Sequence, residues 1–302
     1  MIDKLEMFIA LARARHFGHA AEECGVTQPT LSAAVKQLED QLGVMLVNRG
    51  SRFQGLTPEG LRVLDWARRI VGDARSMHQE MRAAKHGLSG HVRIATIPTA
   101  LAMVAELTEP FCEKHPNVTF SILSRSSVEI LALIENLEVD AGITYLDNEP
   151  LGRVVTVPLF TERYRLVTIE GAPLADRETV TWKEVSEIPL CLLTGQMQNR
   201  RIVNQHLGEA GASATPTLES DSMIALFSHV RTGKWASVMP LKLVETFSTW
   251  SRLRSIPIVE PEATHSVGLV AAYREPYTPV IAALIDQARR NAQAEQQVRT
   301  PA

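Results

Sequence analysis

The chain has 302 residues, enough for two or three domains with separate cores. Its 45% hydrophobic and 22% charged content is that of an ordinary globular protein, and no apolar run approaches the roughly 18 residues that span a bilayer. The formal net charge of −3 argues against a nucleic-acid partner only until it is divided: residues 1–90 hold 12 of the 31 Lys and Arg and 10 of the 34 Asp and Glu, leaving 19 and 24 for the remainder, so only the first segment is net basic.

The N-terminus, MIDKLEMFIALARARHFG, sets charge among its apolar positions at helical spacing and lacks the continuous apolar core of a signal peptide. A cytoplasmic location without a membrane partner is expected. Cys24, Cys112 and Cys191 stand singly in apolar runs with no CxxC pair, which encodes neither a disulfide framework nor a zinc site. They read as buried structural thiols, and a redox switch would want a second, resolving cysteine near the first.

Leu5, Phe8, Ile9 and Ala12 recur at i, i+3, i+4 and i+7 and predict a first amphipathic helix. Ala20, Ala21 and Cys24 mark a second, which Gly25 ends because glycine tolerates the left-handed backbone just past a helix. Thr27 is placed to cap a third helix, in whose first turn Pro29 loses nothing by lacking an N–H. Leu31, Val35, Leu38 and Leu42 then make one buried stripe. Two helices across a tight glycine turn, with small Ala21 where they cross, form the pattern of a helix-turn-helix. Gln28, Pro29, Thr30 and Ser32 stay outward at the start of the third helix with Lys36 a turn later, a set suited to base edges and phosphates in a major groove. Residues 44–60, VMLVNRGSRFQGLTPEG, read as two short strands around Arg49 and Arg52, a wing whose tip reaches DNA backbone or minor groove. Thr57 and Pro58 supply the cap and first position of the next helix.

On FIALARARHFGHAAEECGVTQPTLSAAVKQLEDQLGVMLVNR followed by LTPEG, the chain resembles the LysR-type transcriptional regulators. The resemblance implies a winged helix-turn-helix over 1–58, a linker helix and hinge over 59–90, and an effector-binding domain over 91–302 with a two-lobed, periplasmic-binding-protein-like fold. Lobe I is placed at about 91–162 and 267–302, and lobe II at about 163–266. The class is α+β and multidomain.

From Pro58 to about Lys85, Leu64, Ala67, Val71, Ala74, Met77 and Met81 fall at nearly heptad spacing. A helix about 40 Å long outruns a small winged domain, so the stripe is expected to pair with the same helix of a second chain. Arg62, Arg68, Arg69 and Arg75 are read as solvated. HGLSG then stops the helix, and from HVRIAT onward strands alternate with helices, implying a parallel sheet covered on both faces.

Ligands of such domains sit at the C-terminal ends of strands. The first strand ends in Thr96, Ile97, Pro98, Thr99 and Ala100, the second in Ser124, the third in Thr144, while Gln196, Gln198 and Asn199 precede a helix of lobe II. The resemblance implies that the loop at Thr96–Ala100, the strand end at Thr144 and the loop at Gln196–Asn199 hold the inducer. Hydroxyls, amides and helix N–H groups fit a small, polar, anionic metabolite, whose oxygen Thr99 is expected to meet. Double-stranded promoter DNA, a homodimer through the linker helix, a homotetramer and RNA polymerase complete the expected partners. No cofactor or metal is expected. None of G-x-S-x-G, H-E-x-x-H, the P-loop or G-x-G-x-x-G occurs, which argues against an enzyme. A clamshell solute-binding protein without a transcriptional role is the alternative, and it leaves the first 90 residues unexplained.

Overall fold

The computed structural model describes residues 1–48, 53–147, 150–247 and 252–299. The chain divides into two compact units, one built on Met1–Ser89 and the other on the chain from Gly90.

In the first unit α1 (Ile2–Ala14) buries Leu5, Phe8, Ile9, Ala10 and Leu11. α2 (Phe17–Glu23) opens on His16, whose Nδ1 accepts from the N–H groups of Gly18 and His19. Gly25 lies at φ 65° with open space where a Cβ would project, so backbone conformation alone asks for glycine there. α3 (Gln28–Leu42) starts on Thr27, whose Oγ1 accepts from the Thr30 N–H at 3.4 Å. Leu31, Val35 and Leu38 are buried as expected, but Leu42 is 42% exposed: the last turn runs past the core before Gly43 closes it. Glu39 takes a buried place instead, its carboxylate accepting from the N–H groups of Leu46 and Val47 at 2.8 and 3.2 Å.

Among the described residues the wing is held by the antiparallel bridge of Val47 with Leu56, supported by Asn48 N–H to the Gly55 carbonyl at 3.0 Å. Phe53 packs edge-on against Phe17 of α2. The wing tip with Arg49 and Arg52 lies outside the described residues.

α4 (Pro58–His86) begins at Thr57, whose hydroxyl donates to the Met45 carbonyl at 2.6 Å and accepts from the Gly60 N–H at 2.9 Å. A Cβ on Gly60 would stand 2.1 Å from the Leu46 carbonyl oxygen. Gly to Ala in a helix ordinarily stabilises by roughly 1 kcal/mol. Here the sign should reverse, with Gly60→Ala destabilising by roughly 1–3 kcal/mol in urea melts as the helix is pushed off the wing.

The helix stripe differs from the expected one. Leu64, Ala67 and Val71 are consumed by the core of their own winged domain. The face left open carries Trp66, Ile70, Met77 and Met81. The sequence spacing fitted both faces, and only docking of α1 against α4 decides which one stays open.

The second unit runs β1 (Gly90–Thr96), a 3-10 turn η1 (Pro98–Met103), α5 (Val104–Lys114), β2 (Val118–Ser124), α6 (Ser127–Glu135), β3 (Ala141–Tyr145) and β4 (Val154–Ile169). It continues through β5 (Val180–Thr181), α7 (Trp182–Ser186), β6 (Cys191–Leu193), α8 (Gln198–Glu209), β7 (Leu218–Ser220) and α9 (Met223–Val230). β8 (Ser237–Pro240), α10 (Leu241–Thr246), β9 (Leu253–Val259), β10 (Thr264–Ala272) and α11 (Pro279–Arg299) complete it. Strand order in the main sheet is β2-β1-β3-β10-β4-β9-β5, with β8 also on β4.

The expected parallel sheet holds for β1, β2 and β3, whereas β10 runs antiparallel to β3 and β4, and β4 antiparallel to β8 and β9. The reason is β4 itself. Its first part pairs with β10, from Val154 to Arg163, and its last part, Tyr164 to Ile169, pairs with β8 and β9, so one strand carries the chain from lobe to lobe. Lobe I packs Ile94, Ile143, Leu107, Phe111, Ile130, Leu269 and Leu284, and lobe II packs Val167, Leu193, Leu226, Phe227 and Met239. No helix among the described residues is long and apolar enough to cross a membrane.

Candidate functional site

Two regions collect the residues singled out above. On α3, Gln28, Pro29, Thr30, Ser32 and Lys36 are all exposed. At about 100° per residue, Gln28, Pro29, Ser32 and Lys36 share one face, and Thr30 stands outside it. The Thr30 hydroxyl is already hydrogen-bonded to that of Thr27 at 2.9 Å. Ala33 is also exposed beside Pro29 and Ser32, so a flat, small-residue surface with amide, hydroxyl and ammonium groups projects from this helix.

The second region lies where β4 passes between the lobes. Buried Thr96 ends β1, Pro98, Thr99 and Ala100 are buried in the turn that follows, and the Thr96 hydroxyl donates to the Ile97 carbonyl at 3.3 Å. The Thr99 hydroxyl stands beside the Glu162 carboxyl and the Tyr145 hydroxyl, yet has no hydrogen-bond partner of good geometry. Asn199, in the first turn of α8, donates from Nδ2 to the Tyr145 oxygen at 3.4 Å and so ties lobe II to lobe I. Thr99 and Asn199 are therefore brought together around Tyr145.

The other residues scatter. Ser124 and Gln196 are exposed, and the Ser124 carbonyl accepts from Arg125 at 2.7 Å. The Gln198 side-chain oxygen is taken by Arg201 Nε at 2.7 Å. Thr144 alternates with Tyr145 along β3 and so projects with Gly142 toward Ile130 and Ile134 of α6, on the face away from Tyr145. Its hydroxyl is buried without a hydrogen bond. Arg200 is a buried tie within lobe II, holding Glu219, the Leu193 carbonyl and Asn204.

Four residues that the sequence reading passed over complete the cluster. Glu162 is 1% exposed, and burial pushes its carboxyl up to about 7, against the downward pull of hydroxyl donors. Tyr145 and Tyr164 both donate to Glu162 Oε2, at 2.7 and 3.3 Å, and burial raises both phenols well above their ordinary value. His265, paired in register with Glu162, lies 3.5 Å from Asp147 and 3.2 Å from His206 Nε2, and burial lowers its pKa. No group of three or more His, Cys, Asp and Glu suited to a metal occurs among the described residues.

Comparison with known proteins identifies both units. Residues 2–61 match the bacterial regulatory helix-turn-helix protein, lysR family, and residues 85–293 match the LysR substrate binding domain. The DNA-binding transcriptional dual regulator OxyR of Escherichia coli K12 is 29% identical over 273 residues, 89% of this chain and 88% of that protein. A probable hydrogen peroxide-inducible genes activator of Mycobacterium avium is 28% identical over 88% of this chain and 86% of its own. A full-length OxyR variant from Pseudomonas aeruginosa superposes with TM-score 0.73 at 26% identity, covering 96% of this chain and 94% of that one. At 22% identity, CbnR in complex with its target DNA shares the fold, with TM-score 0.60 over 97% of this chain and 100% of the other.

Proposed function

The chain belongs to the LysR family and is a DNA-binding transcriptional regulator with an effector-binding domain; from that premise we propose that a small polar metabolite, held between the lobes by Thr99 and Asn199, sets its action at a promoter. The observation that carries this reading is the Asn199–Tyr145 hydrogen bond between lobes, beside buried hydroxyls that lack partners. A ligand that satisfies Thr99 and engages Asn199 changes the contact on which lobe angle depends, which is differential binding to two states. The N-cap of α8, Met197, gives no side-chain cap, so the first-turn N–H groups suit an anionic oxygen of the effector. Pro98, Ala100 and the Thr96 turn shape the floor. Ser124, Thr144, Gln196 and Gln198 belong to the rim or to the packing behind it. The effector is the one small molecule required, with no cofactor.

The names of the peroxide-responsive relatives do not carry over to this chemistry. A thiol sensor reacts as its thiolate. Cys191 is buried, its thiol is pushed up to about 11 by that burial, and its Sγ rests 3.8 Å from the Leu226 carbonyl. Cys112 is exposed on α5, and Cys24 ends α2 in the other unit. Reversible binding is the better-supported trigger.

At the promoter, Gln28, Pro29 and Ser32 read base edges and Lys36 meets phosphate, with Arg49 and Arg52 of the wing reaching backbone or minor groove. Two chains pair through α4, such dimers pair again into a tetramer, and the assembly acts in the cytoplasm as a regulator, not an enzyme, in contact with RNA polymerase. A gel shift on DNA from the protein's own promoter region tests this. Gln28→Ala should cost roughly 1–3 kcal/mol of operator affinity and relax preference at one position of each half-site. Unchanged affinity and preference would place base reading on another surface.

A further inference from the structure

Glu162 lies on β4 where β10, β3, the Thr99 turn and α8 converge. Oε2 accepts from two tyrosine hydroxyls, and the first donation has a fixed direction: Asn199 Nδ2 donates to the Tyr145 oxygen, leaving the phenol proton for Glu162. Two donors converging on one oxygen favour the ionised carboxyl. Oε1, in contrast, is buried without a hydrogen bond, as is the neighbouring Thr99 Oγ1. The titratable groups around the carboxyl are Tyr145 on β3, Tyr164 on β4, Asp147 after β3, His265 on β10, and His206 with Glu209 on α8. The nearest element to bring a cation is α10, whose Lys242 ammonium lies over the Phe160 ring, 4.9 Å from its centroid, and pairs with Glu106 at 3.7 Å. A buried carboxyl with an open oxygen is costly to ionise, and a cation that reached that oxygen would supply the charge that burial denies it.

We propose that Glu162 is the cation-recognising residue of the effector cleft, its Oε1 taking the protonated amine of a small effector. The proposal rests on the effector reading above. An ammonium has three donors, and Glu162 Oε1 and the oxygen of the Thr99 hydroxyl, which itself pulls on the Glu162 carboxyl, both keep lone pairs for them. This revises the part expected of Thr99: beside a carboxyl, its oxygen suits a donor of the ligand better than a negative oxygen. With the anionic end at the first turn of α8, the effector class becomes a compact zwitterion of amino-acid type. A purely anionic effector would set like charge against Glu162.

Methylammonium is the simplest probe. Protein labelled with ¹³C at its glutamate carboxyls should be titrated by NMR in methylammonium chloride, sodium chloride and sodium acetate at one ionic strength of about 0.1 M. The Glu162 signal is the one lost in Glu162→Gln, or, should that variant not fold, the one displaced in Tyr164→Phe. Its midpoint should fall by roughly one pH unit or more in methylammonium relative to sodium chloride. An unchanged midpoint in methylammonium overturns the proposal, and a rise in acetate without that fall overturns it in favour of an anion-only cleft. Promoter binding, measured by gel shift in the same salts, keeps the two readings apart. Loss of shift by the wild-type protein in all three salts defeats the regulator reading, whereas an intact shift with an immobile Glu162 midpoint defeats only the amine.

Discussion

Ile70→Glu combined with Met77→Glu is expected to leave each chain folded and to break the pairing through α4, so that the mass falls below that of the tetramer. Both side chains are exposed on α4 in the single chain, on the face that also carries Trp66 and Met81. Neither touches the winged-domain core, which takes Leu64, Ala67 and Val71 from the other side of the helix. In a paired helix the two carboxylates would be buried without partners, at a cost of several kcal/mol each. Operator affinity should drop on the order of 100-fold, because two recognition helices would no longer bind as one unit. Light scattering reads the mass and gel shift the affinity. Leu64→Glu serves as the contrast: it places a charge in the domain core and should unfold the winged domain instead of dissociating it. A wild-type mass for the double variant would put the pairing surface elsewhere.

That pair of faces shows where the sequence was legible and where it stopped being so. Caps and turns were readable because they depend on residues close in sequence: Gly25 at positive φ, Thr27 capping α3 and Thr57 capping α4 need nothing from the rest of the chain. The choice of helix face on α4 depends on where α1 docks, and spacing alone does not fix it. Leu42 fell outside the core for a similar reason, since the core ends before the helix does. Glu39 was hidden differently. A carboxylate on a helix reads as solvated, and only the approach of Leu46 and Val47 gives it two N–H donors and a reason to be buried.

In the cleft, Thr99 and Asn199 were visible as polar residues at element ends, which is where sites collect. Thr144 was visible for the same reason, but strand alternation turns it to the face opposite Tyr145. Glu162 had a signal too. It sits at the inward parity of VVTVPLFTERYRLVTI, between buried Phe160 and Tyr164, where a charge is out of place. What the pattern could not supply is the convergence of Tyr145, Tyr164 and the Thr99 turn on that carboxyl, because those residues come from separate elements.

The burial of Glu162 should be measurable as a pH dependence of stability. Its folded pKa of about 7 stands above the ordinary 4.5, so between those values the folded chain holds a proton that the unfolded chain has released. Stability from this group is therefore fully present below about pH 4.5 and is lost as pH rises through about 7, a decline of about 3 kcal/mol. His265 acts in the opposite sense: its lowered pKa takes stability away as pH falls, so the two contributions overlap in the wild-type curve. Glu162→Gln separates them, since glutamine keeps the shape and the acceptor for the two tyrosines but does not titrate. Subtracting the variant's urea stability from that of the wild type at pH 5 and at pH 8 leaves the Glu162 contribution, apart from a constant for the new amide. The wild type should lose ground to the variant by about 2–3 kcal/mol over that interval, with most of the change below pH 7. If Glu162 instead keeps an ordinary pKa in the folded chain, the difference between the two proteins will be flat from pH 5 to 8.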